Sequence, residues 1–320
     1  MKRCRTGLML SMVLAAAAAC RTSAPAGPLT PPAQPQPPMS PVTSPAPSTA
    51  TSPATSPAEP PAAAGAERRN DDRLGGVLWV QTSAEYRALA TAAFARARVE
   101  LDRALADRTA TAALEQQEDW SGLPPAVIAD VDETLLDNSP YEADRIRVGG
   151  RYEAVSWNAW VQRARAQAVP GALEFARYAA ERGVTLFYVT NRAAPLEEKT
   201  RENLAALGFP LAEDRDTVLT PGERPEWSSE KTSRRAEVAR SFRILLLIGD
   251  DLGDFVTGAR ALSEERIALA ERYAQRWQSS WILLPNPYYG SWERALLENR
   301  RDLSDEEILR RKLERLRGSE

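Results

Sequence analysis

The chain has 320 residues, a formal net charge of −3 and an isoelectric point near 5.5. This mildly acidic balance gives no basis for binding a nucleic-acid polymer, which needs a basic surface. The sequence contains no histidine, which excludes histidine nucleophiles, histidine-dependent triads and histidine-rich zinc sites. A nucleophile must therefore be sought among Asp, Glu, Ser, Thr, Lys and Tyr.

Residues 1–20 have the layout of a secretory signal. Basic residues at positions 2, 3 and 5 precede an apolar run over 7–19, which is too short to span a bilayer as a mature helix. Small residues then lead to Cys20, the only cysteine that export would leave in the chain. A disulfide within the exported chain is therefore impossible, and the unpaired thiol needs another explanation.

Residues 14–20 resemble a bacterial lipoprotein signal, in which the cysteine becomes the lipidated first residue. By that resemblance Cys20 carries a lipid anchor, and Arg21 directs the protein to the outer membrane or cell surface. Ala17 departs from the pattern, because such signals usually have Leu there. Ordinary cleavage after an Ala-x-Ala pattern, which would release a soluble periplasmic protein, stays open.

The segment after Cys20 cannot bury a core. Residues 21–66 are mostly Pro, Ala, Ser and Thr and hold 14 of the 24 prolines. At about 3.1 Å per residue, such a segment reaches on the order of 100 Å. We predict a disordered linker over 21–73, followed by one folded domain over 74–320 with its core at about 124–285 and helical additions at both ends.

The folded part alternates helical and strand patterns. Residues 83–107 have apolar positions three and four apart and predict an amphipathic helix with Ser83 as N-cap. The remaining predicted elements are, in order, a strand at 126–129, a helix at 170–182 ended by Gly183, a strand at 184–189, helices at about 195–207 and 230–240, and a strand at 243–248. This order predicts a parallel α/β sheet.

Each of the three predicted strands ends in polar residues. The endings are Asp130-Val-Asp132, Thr190-Asn191 and Gly249-Asp250-Asp251. Ligands of parallel sheets gather at the carboxyl ends of the strands, so we expect these residues to form one site. Clustered carboxylates repel unless a hard cation joins them, and oxygen ligands without His or Cys indicate Mg²⁺.

Four stretches of the folded part, in this order, resemble the bacterial class C acid phosphatases of the haloacid dehalogenase superfamily: 78–90, 130–141, 187–192 and 285–292. The resemblance implies a Rossmann-like parallel-sheet core with flanking helices and a small helical cap segment. Members of this family are surface lipoproteins, and several act as 5′-nucleotidases. The implied activity is hydrolysis of small phosphate monoesters.

The resemblance also implies the catalytic roles. Asp130 would attack phosphorus and carry a transient aspartyl phosphate. Asp132 would protonate the leaving alcohol and then activate water. Mg²⁺ would be held by the Asp130 carboxylate, the Asp132 main-chain carbonyl and Asp250, and would neutralise charge between the nucleophile and the phosphate.

Further residues would bind the phosphate group. By the same resemblance, the Thr190 hydroxyl and the Asn191 main-chain amide would donate to phosphate oxygens, and Lys231 would hold the nucleophile and the phosphate by charge. Asp254 would be a supporting acid. Asp251 stands where relatives carry Asn, so a third acid competes with Asp250 for the metal; we expect Asp250 to be the ligand.

The substrate is expected to stack on aromatic rings. Trp157 and Tyr289 stand where the resemblance places such rings, and Tyr141 is close to the first motif. Stacking of a base is typically worth about 1 to 3 kcal/mol. The prediction is a Mg²⁺-dependent phosphomonoesterase acting on nucleoside monophosphates and other small monoesters.

Two other functions stay open at this point. A surface lipoprotein could keep the fold for binding without catalysis. A metal-dependent glycosyltransferase also uses an Asp-x-Asp pattern, but it would form no aspartyl phosphate. The expected partners are small phosphate monoesters and, through the lipid anchor, a membrane; a homodimer is left open.

Overall fold

The computed structural model of the chain describes residues 71–117 and 119–319. The predicted signal, Cys20 and nearly all of the predicted linker lie outside these residues. Helical structure begins at Leu74. Within the described ranges, every helix is too short or too polar to cross a bilayer.

The described residues form eleven α-helices and seven strands. The helices are α1 Leu74–Thr82, α2 Ala84–Ala106, α3 Ser139–Arg147, α4 Ala154–Gln162, α5 Ala172–Ala180, α6 Glu197–Leu207, α7 Thr232–Ser241, α8 Ser263–Arg272, α9 Ala274–Trp277, α10 Ser291–Leu296 and α11 Asp305–Arg315. The strands are β1 Pro125–Ala129, β2 Leu136–Asp137, β3 Gln167–Ala168, β4 Thr185–Val189, β5 Val218–Leu219, β6 Arg243–Gly249 and β7 Trp281–Leu283.

The main sheet has five parallel strands in the order β5-β4-β1-β6-β7. The first predicted strand, β1, lies at its centre, and the other two, β4 and β6, pair with it on either side. All three predicted strands and the parallel α/β sheet are therefore confirmed. All seven residues of β6 are buried, as expected of a strand covered on both faces. The sequence did not show β5 and β7, because two or three residues are too few to make a pattern.

Helices cover both faces of the sheet. On one face α2 and α5 pack together, and the rings of Phe94 and Phe175 lie 5.9 Å apart. On the other face Phe255, Trp277 and Trp281 form an aromatic group, with the two indole rings 4.8 Å apart. The sheet is thus buried between two apolar layers, and its carboxyl edge is left to form a site.

Two helix starts show how local chemistry sets the boundaries. The predicted N-cap is confirmed, since the Ser83 side chain accepts a hydrogen bond from the Tyr86 amide at the start of α2. The helix predicted over 170–182 instead spans Ala172–Ala180. Gly171 precedes it with φ +88°, where a Cβ would lie 3.2 Å from Phe94 Cβ. Both the positive φ and the contact with α2 require glycine there.

A small segment between β1 and α5 forms the predicted helical cap. It contains the two-stranded antiparallel pair β2-β3, with Leu136 opposite Ala168, and the helices α3 and α4. Its residues Asn138, Tyr152 and Trp157 line the same cavity as Asp130. The cap segment therefore forms one wall of the site.

Replacing Phe94 with Ala tests the packing of α2 against the sheet. Phe94 is 1% exposed, so its loss leaves a cavity, and we expect the free energy of unfolding to fall by about 3–5 kcal/mol. Leu89→Ala is the matched control on the same helix, because Leu89 is 52% exposed. Its effect should stay within about 0.5 kcal/mol. Equal effects in chemical denaturation would contradict this packing.

Candidate active site

Three predicted site residues directly follow the three central strands. Asp130 comes after β1, Thr190 after β4 and Asp250 after β6. A cavity of about 590 Å³ opens at this edge, and Asp130, Asp132 and Asp250 line it together with Lys231 and Asp254. This position of the residues that follow β1, β4 and β6 agrees with the expectation that the strand ends meet at one site.

Asp130 is held by a buried lysine. The Lys231 ammonium donates to Asp130 Oδ1 and, at 2.7 Å, to Asp254 Oδ1. All three side chains are 6–7% exposed. Burial raises the pKa of Asp130 to about 7; the Lys231 charge opposes this shift, and the charges of Asp254 and Asp132 add to it. The carboxylate form of Asp130 therefore depends on nearby positive charge.

Lys231 keeps its charge in this setting. Burial lowers its pKa, but the carboxylates of Asp130 and Asp254 outweigh burial and leave the pKa above its usual value. Lys231 stands at the N-cap position of α7. The start of that helix thus places a charged ammonium group at the floor of the cavity.

Asp250 joins the two carboxylates that contact this lysine to form a cluster of three acids. Oxygens of Asp130, Asp250 and Asp254 lie within 4.8 Å of one another. Among the described residues, the donors to the Asp250 carboxylate are neutral: Thr134 Oγ1 at 3.1 Å and Asn286 Nδ2 at 2.8 Å. Burial and the charges of Asp130 and Asp254 raise the pKa of Asp250 well above its usual value. One ammonium in contact with two of these three acids leaves negative charge uncompensated, and this set of oxygen donors fits a hard divalent cation.

The acids that follow β6 have different surroundings. Asp251 Oδ1 accepts from the Gly253 amide at 2.8 Å, and its Oδ2 accepts from the Ser291 amide at 2.6 Å. Asp254 Oδ2 accepts from the Asp251 amide at 2.9 Å. A Cβ at position 249 would lie 2.4 Å from Asp254 Cβ, so Gly249 is what lets this turn close. Asp251 therefore builds the turn, while Asp250 faces the other carboxylates.

Asp132 is fixed by a buried arginine. Arg192 donates to Asp132 Oδ1 from Nε at 2.9 Å and from Nη2 at 2.8 Å. Asn138 Nδ2 also donates to Oδ1 at 2.9 Å, and Thr190 Oγ1 donates to Oδ2 at 3.1 Å. Sequence reasoning did not single out Arg192 or Asn138. The available signal was their position, next to the Thr190-Asn191 strand end and in the loop after Asp132.

The predicted phosphate-binding residues lie in different positions. Thr190 is fully buried, and its hydroxyl accepts from the Arg192 amide at 3.1 Å while donating to Asp132. It is not among the residues that line the cavity in the described chain. Asn191 and Lys231 do line it. The structure thus brings the Thr190 hydroxyl to Asp132 rather than to the cavity surface.

A second arginine that the sequence did not indicate as functional supports the Thr190-Asn191 loop. Arg234 is fully buried and donates to the carbonyls of Thr190, Leu219 and Ser228 and to Asn191 Oδ1. Burial lowers its pKa to about 10, although nearby carboxylates, Asp130 first, oppose the shift. Arg234 therefore orients the Thr190-Asn191 loop and adds positive potential behind the site.

The three aromatic candidates are not equivalent. Trp157 is half-buried and lines the cavity. Tyr141 is 4% exposed, does not line the cavity within the described residues, and packs edge-on against Trp157 with ring centroids 5.1 Å apart. It supports Trp157 rather than offering its own ring. Tyr152, which the sequence did not indicate, is exposed at the cavity wall with its ring 6.1 Å from that of Trp157.

Tyr289 lines the cavity but is anchored by a buried acid. Its hydroxyl and that of Tyr288 both donate to Glu133, the latter at 3.0 Å. The Asn138 amide donates to the same carboxyl at 2.9 Å. Burial raises the pKa of Glu133 well above its usual value. Glu133 thus connects the loop after β1 to the segment that carries Tyr289.

The sequence model of the family described as HAD superfamily, subfamily IIIB (Acid phosphatase) matches residues 75–292. Two solved structures of the class C acid phosphatase from Bacillus anthracis, one with tungstate bound, are each 30% identical to this chain with a TM-score of 0.69. Each comparison covers 78% of this chain and 98% of that one.

Acid phosphatase 1 of Solanum lycopersicum is 30% identical over 133 residues, which are 40% of this chain. The match spans 51% of the tomato protein, about half its length. The predicted fold and the predicted phosphatase family are both confirmed by these comparisons. The chain belongs to the acid phosphatases of the haloacid dehalogenase superfamily, subfamily IIIB.

Proposed function

We propose that this chain is a Mg²⁺-dependent phosphomonoesterase that acts on nucleoside monophosphates and other small phosphate monoesters through an aspartyl phosphate on Asp130. One observation carries the proposal: Asp130 is buried at the end of the central strand, in contact with Lys231, at the floor of a cavity lined by further acids. A buried acid paired in this way is a functional-site signal. The match to a family of phosphatases supplies the reaction class.

The nucleophile is Asp130. Its carboxylate attacks phosphorus, the bond to the leaving alcohol breaks, and the phosphoryl group is transferred to the carboxyl oxygen. Lys231 favours the attacking anion and faces the incoming phosphate with the same ammonium group. Asp254 holds that ammonium at 2.7 Å, so that it stays in place while Asp130 reacts.

Asp132 is suited to move the protons. It is half-buried in the cavity wall, and Arg192, Asn138 and Thr190 fix both of its oxygens. As general acid it gives a proton to the leaving alcohol. As general base it then takes a proton from the water that attacks the acyl phosphate, since the second step reverses the proton flow.

The carboxylates of Asp130 and Asp250 and the main-chain carbonyl of Asp132 would hold the metal ion. When bound, Mg²⁺ supplies charge neutralisation between the anionic nucleophile and the phosphate oxygens. The clustering of the Asp130, Asp250 and Asp254 carboxylates is what supports a divalent ion here. Hard oxygen donors favour Mg²⁺ over softer metals.

The substrate would lie against the cap segment. Trp157 and Tyr152 present ring surface at the cavity wall, and a nucleotide base can stack on such surfaces. The tungstate of the related Bacillus anthracis structure is a tetrahedral oxyanion like phosphate, which is consistent with an oxyanion site in this fold.

We also propose that the protein is exported and anchored to the outer membrane or cell surface through lipidated Cys20. The basic start, apolar run and lone exported cysteine of residues 1–20 support this. The long proline-rich segment that follows would hold the enzyme away from the membrane. Export would place the site where small phosphate monoesters outside the cytoplasm can reach it.

Replacing Asp130 with Asn tests the activity. The amide is a poor nucleophile, so phosphate release from p-nitrophenyl phosphate and from nucleoside monophosphates, measured with Mg²⁺, should fall about a thousandfold or more. Asp144→Asn is the matched control, because Asp144 is exposed on α3 and, in the part of the chain that the structure describes, forms its ion pair with Arg147. Full turnover by Asp130→Asn, or no release by the wild-type chain, would favour the non-catalytic alternative. Transfer from a nucleotide sugar would favour a glycosyltransferase.

The Mg²⁺ affinities of two variants test whether Asp250 or Asp251 is the metal ligand. Asp250→Asn removes an expected ligand, so Mg²⁺ affinity measured by titration calorimetry should fall more than about tenfold, the loss found even for residues that only orient a ligand. Asp251→Asn makes the same chemical change one residue away, in the turn to Ser291. It should keep the affinity within about threefold. The reverse order would assign the metal to Asp251.

A further inference from the structure

Three arginines that the proposed reaction does not use line the same cavity as Asp130. They are Arg260, Arg294 and Arg301, named here the arginine triplet. All three are exposed, so their guanidinium groups are open to a ligand that enters the cavity. The acids around Lys231 and this triplet thus line one cavity.

The other arginines of the cavity are neutralised by acids. Arg73 pairs with Asp71 and Glu142, Arg151 with Asp72 and Asp305, and Arg192 with Asp132. Within residues 71–117 and 119–319, no carboxylate forms an ion pair with the triplet. The side-chain hydrogen bond found there joins Arg260 to the neutral hydroxyl of Ser229.

The acids nearest the triplet are already engaged. Glu293 accepts from Lys312, and Asp251 accepts from the amide and hydroxyl of Ser291. Partial desolvation lowers the pKa of Arg294, the charges of Arg301 and Arg260 lower it further, and the charges of Asp251 and Glu293 offset only part of this shift. Like charges that destabilise one another in a cavity wall are relieved by an anion.

We infer that the arginine triplet binds the second phosphate group of a substrate whose first phosphate is cleaved at Asp130, and that this substrate class is a nucleoside bisphosphate. The inference rests on the proposed phosphomonoesterase activity. Guanidinium groups match the oxygens of phosphate in geometry and stay charged at every working pH. A cavity of about 590 Å³ is large enough for such a ligand.

The nucleoside part follows from the neighbours of the triplet. Tyr152 and Arg294 line the same cavity, and the Tyr152 ring is 6.1 Å from that of Trp157. A base on these rings and a phosphate on the triplet would therefore share this cavity. Hydrolysis adds water across one phosphate ester bond, releases orthophosphate and leaves a nucleoside monophosphate whose remaining phosphate stays on the triplet.

The kinetic test compares adenosine 3′,5′-bisphosphate with adenosine 5′-monophosphate. A charged hydrogen bond to the second phosphate should raise kcat/KM for the bisphosphate about tenfold over the monophosphate. The triple variant Arg260→Gln, Arg294→Gln, Arg301→Gln should reduce this preference to about twofold or less. Arg300→Gln is the matched control, since Arg300 pairs with Asp302 and does not line the cavity. It should keep the preference.

Two results would overturn the inference: no preference in the wild-type chain, or an equal loss for both nucleotides in the triple variant. The second result would mean that the triplet only attracts anions in general. If neither nucleotide is hydrolysed, the proposed function fails. Titration calorimetry on the Asp130→Asn variant then still tests whether the arginine triplet binds the second phosphate. Binding of the bisphosphate about tenfold tighter, abolished by the triple substitution, supports it; equal affinities overturn it.

Discussion

The site depends on one buried cation. The Lys231 ammonium lies between the buried carboxylates of Asp130 and Asp254, and without it burial would favour the protonated form of Asp130. The sheet brings these groups together, because β1 ends just before Asp130 and the adjacent strand β6 leads into the turn that carries Asp254. The carboxylate form of Asp130 is therefore favoured by a contact between elements far apart in sequence.

Around this contact, three arginines are used in three different ways. Arg192 pairs with Asp132 and holds the group proposed to transfer protons. Arg234 has no carboxylate partner in the described chain and binds backbone carbonyls behind the Thr190-Asn191 loop. Arg294 is exposed at the cavity and is proposed to bind substrate. These arginines differ in burial and in their partners, although the residue type is the same.

The rule that ligands gather at strand ends was enough to predict that Asp130, Thr190 and Asp250 lie at one edge of the sheet. Each of the three strands is a strongly apolar run that can be recognised in the sequence, and each is followed directly by its polar residue. It could not identify Arg192 or Arg234, whose roles depend on which loop each side chain meets in the folded chain. The same limit applies to Tyr141. An aromatic residue near a motif can line the cavity or support the residue that does, and only packing decides; here it supports Trp157.

Asp130 is proposed to be the group that becomes phosphorylated. Rapid acid quenching of the enzyme during turnover of a ³²P-labelled phosphate monoester, followed by mass spectrometry of the labelled peptide, tests this role. We expect a hydroxylamine-sensitive acyl phosphate on Asp130 that forms and decays within a turnover. Label on another residue, or product formation with no labelled protein at any quench time, would contradict it.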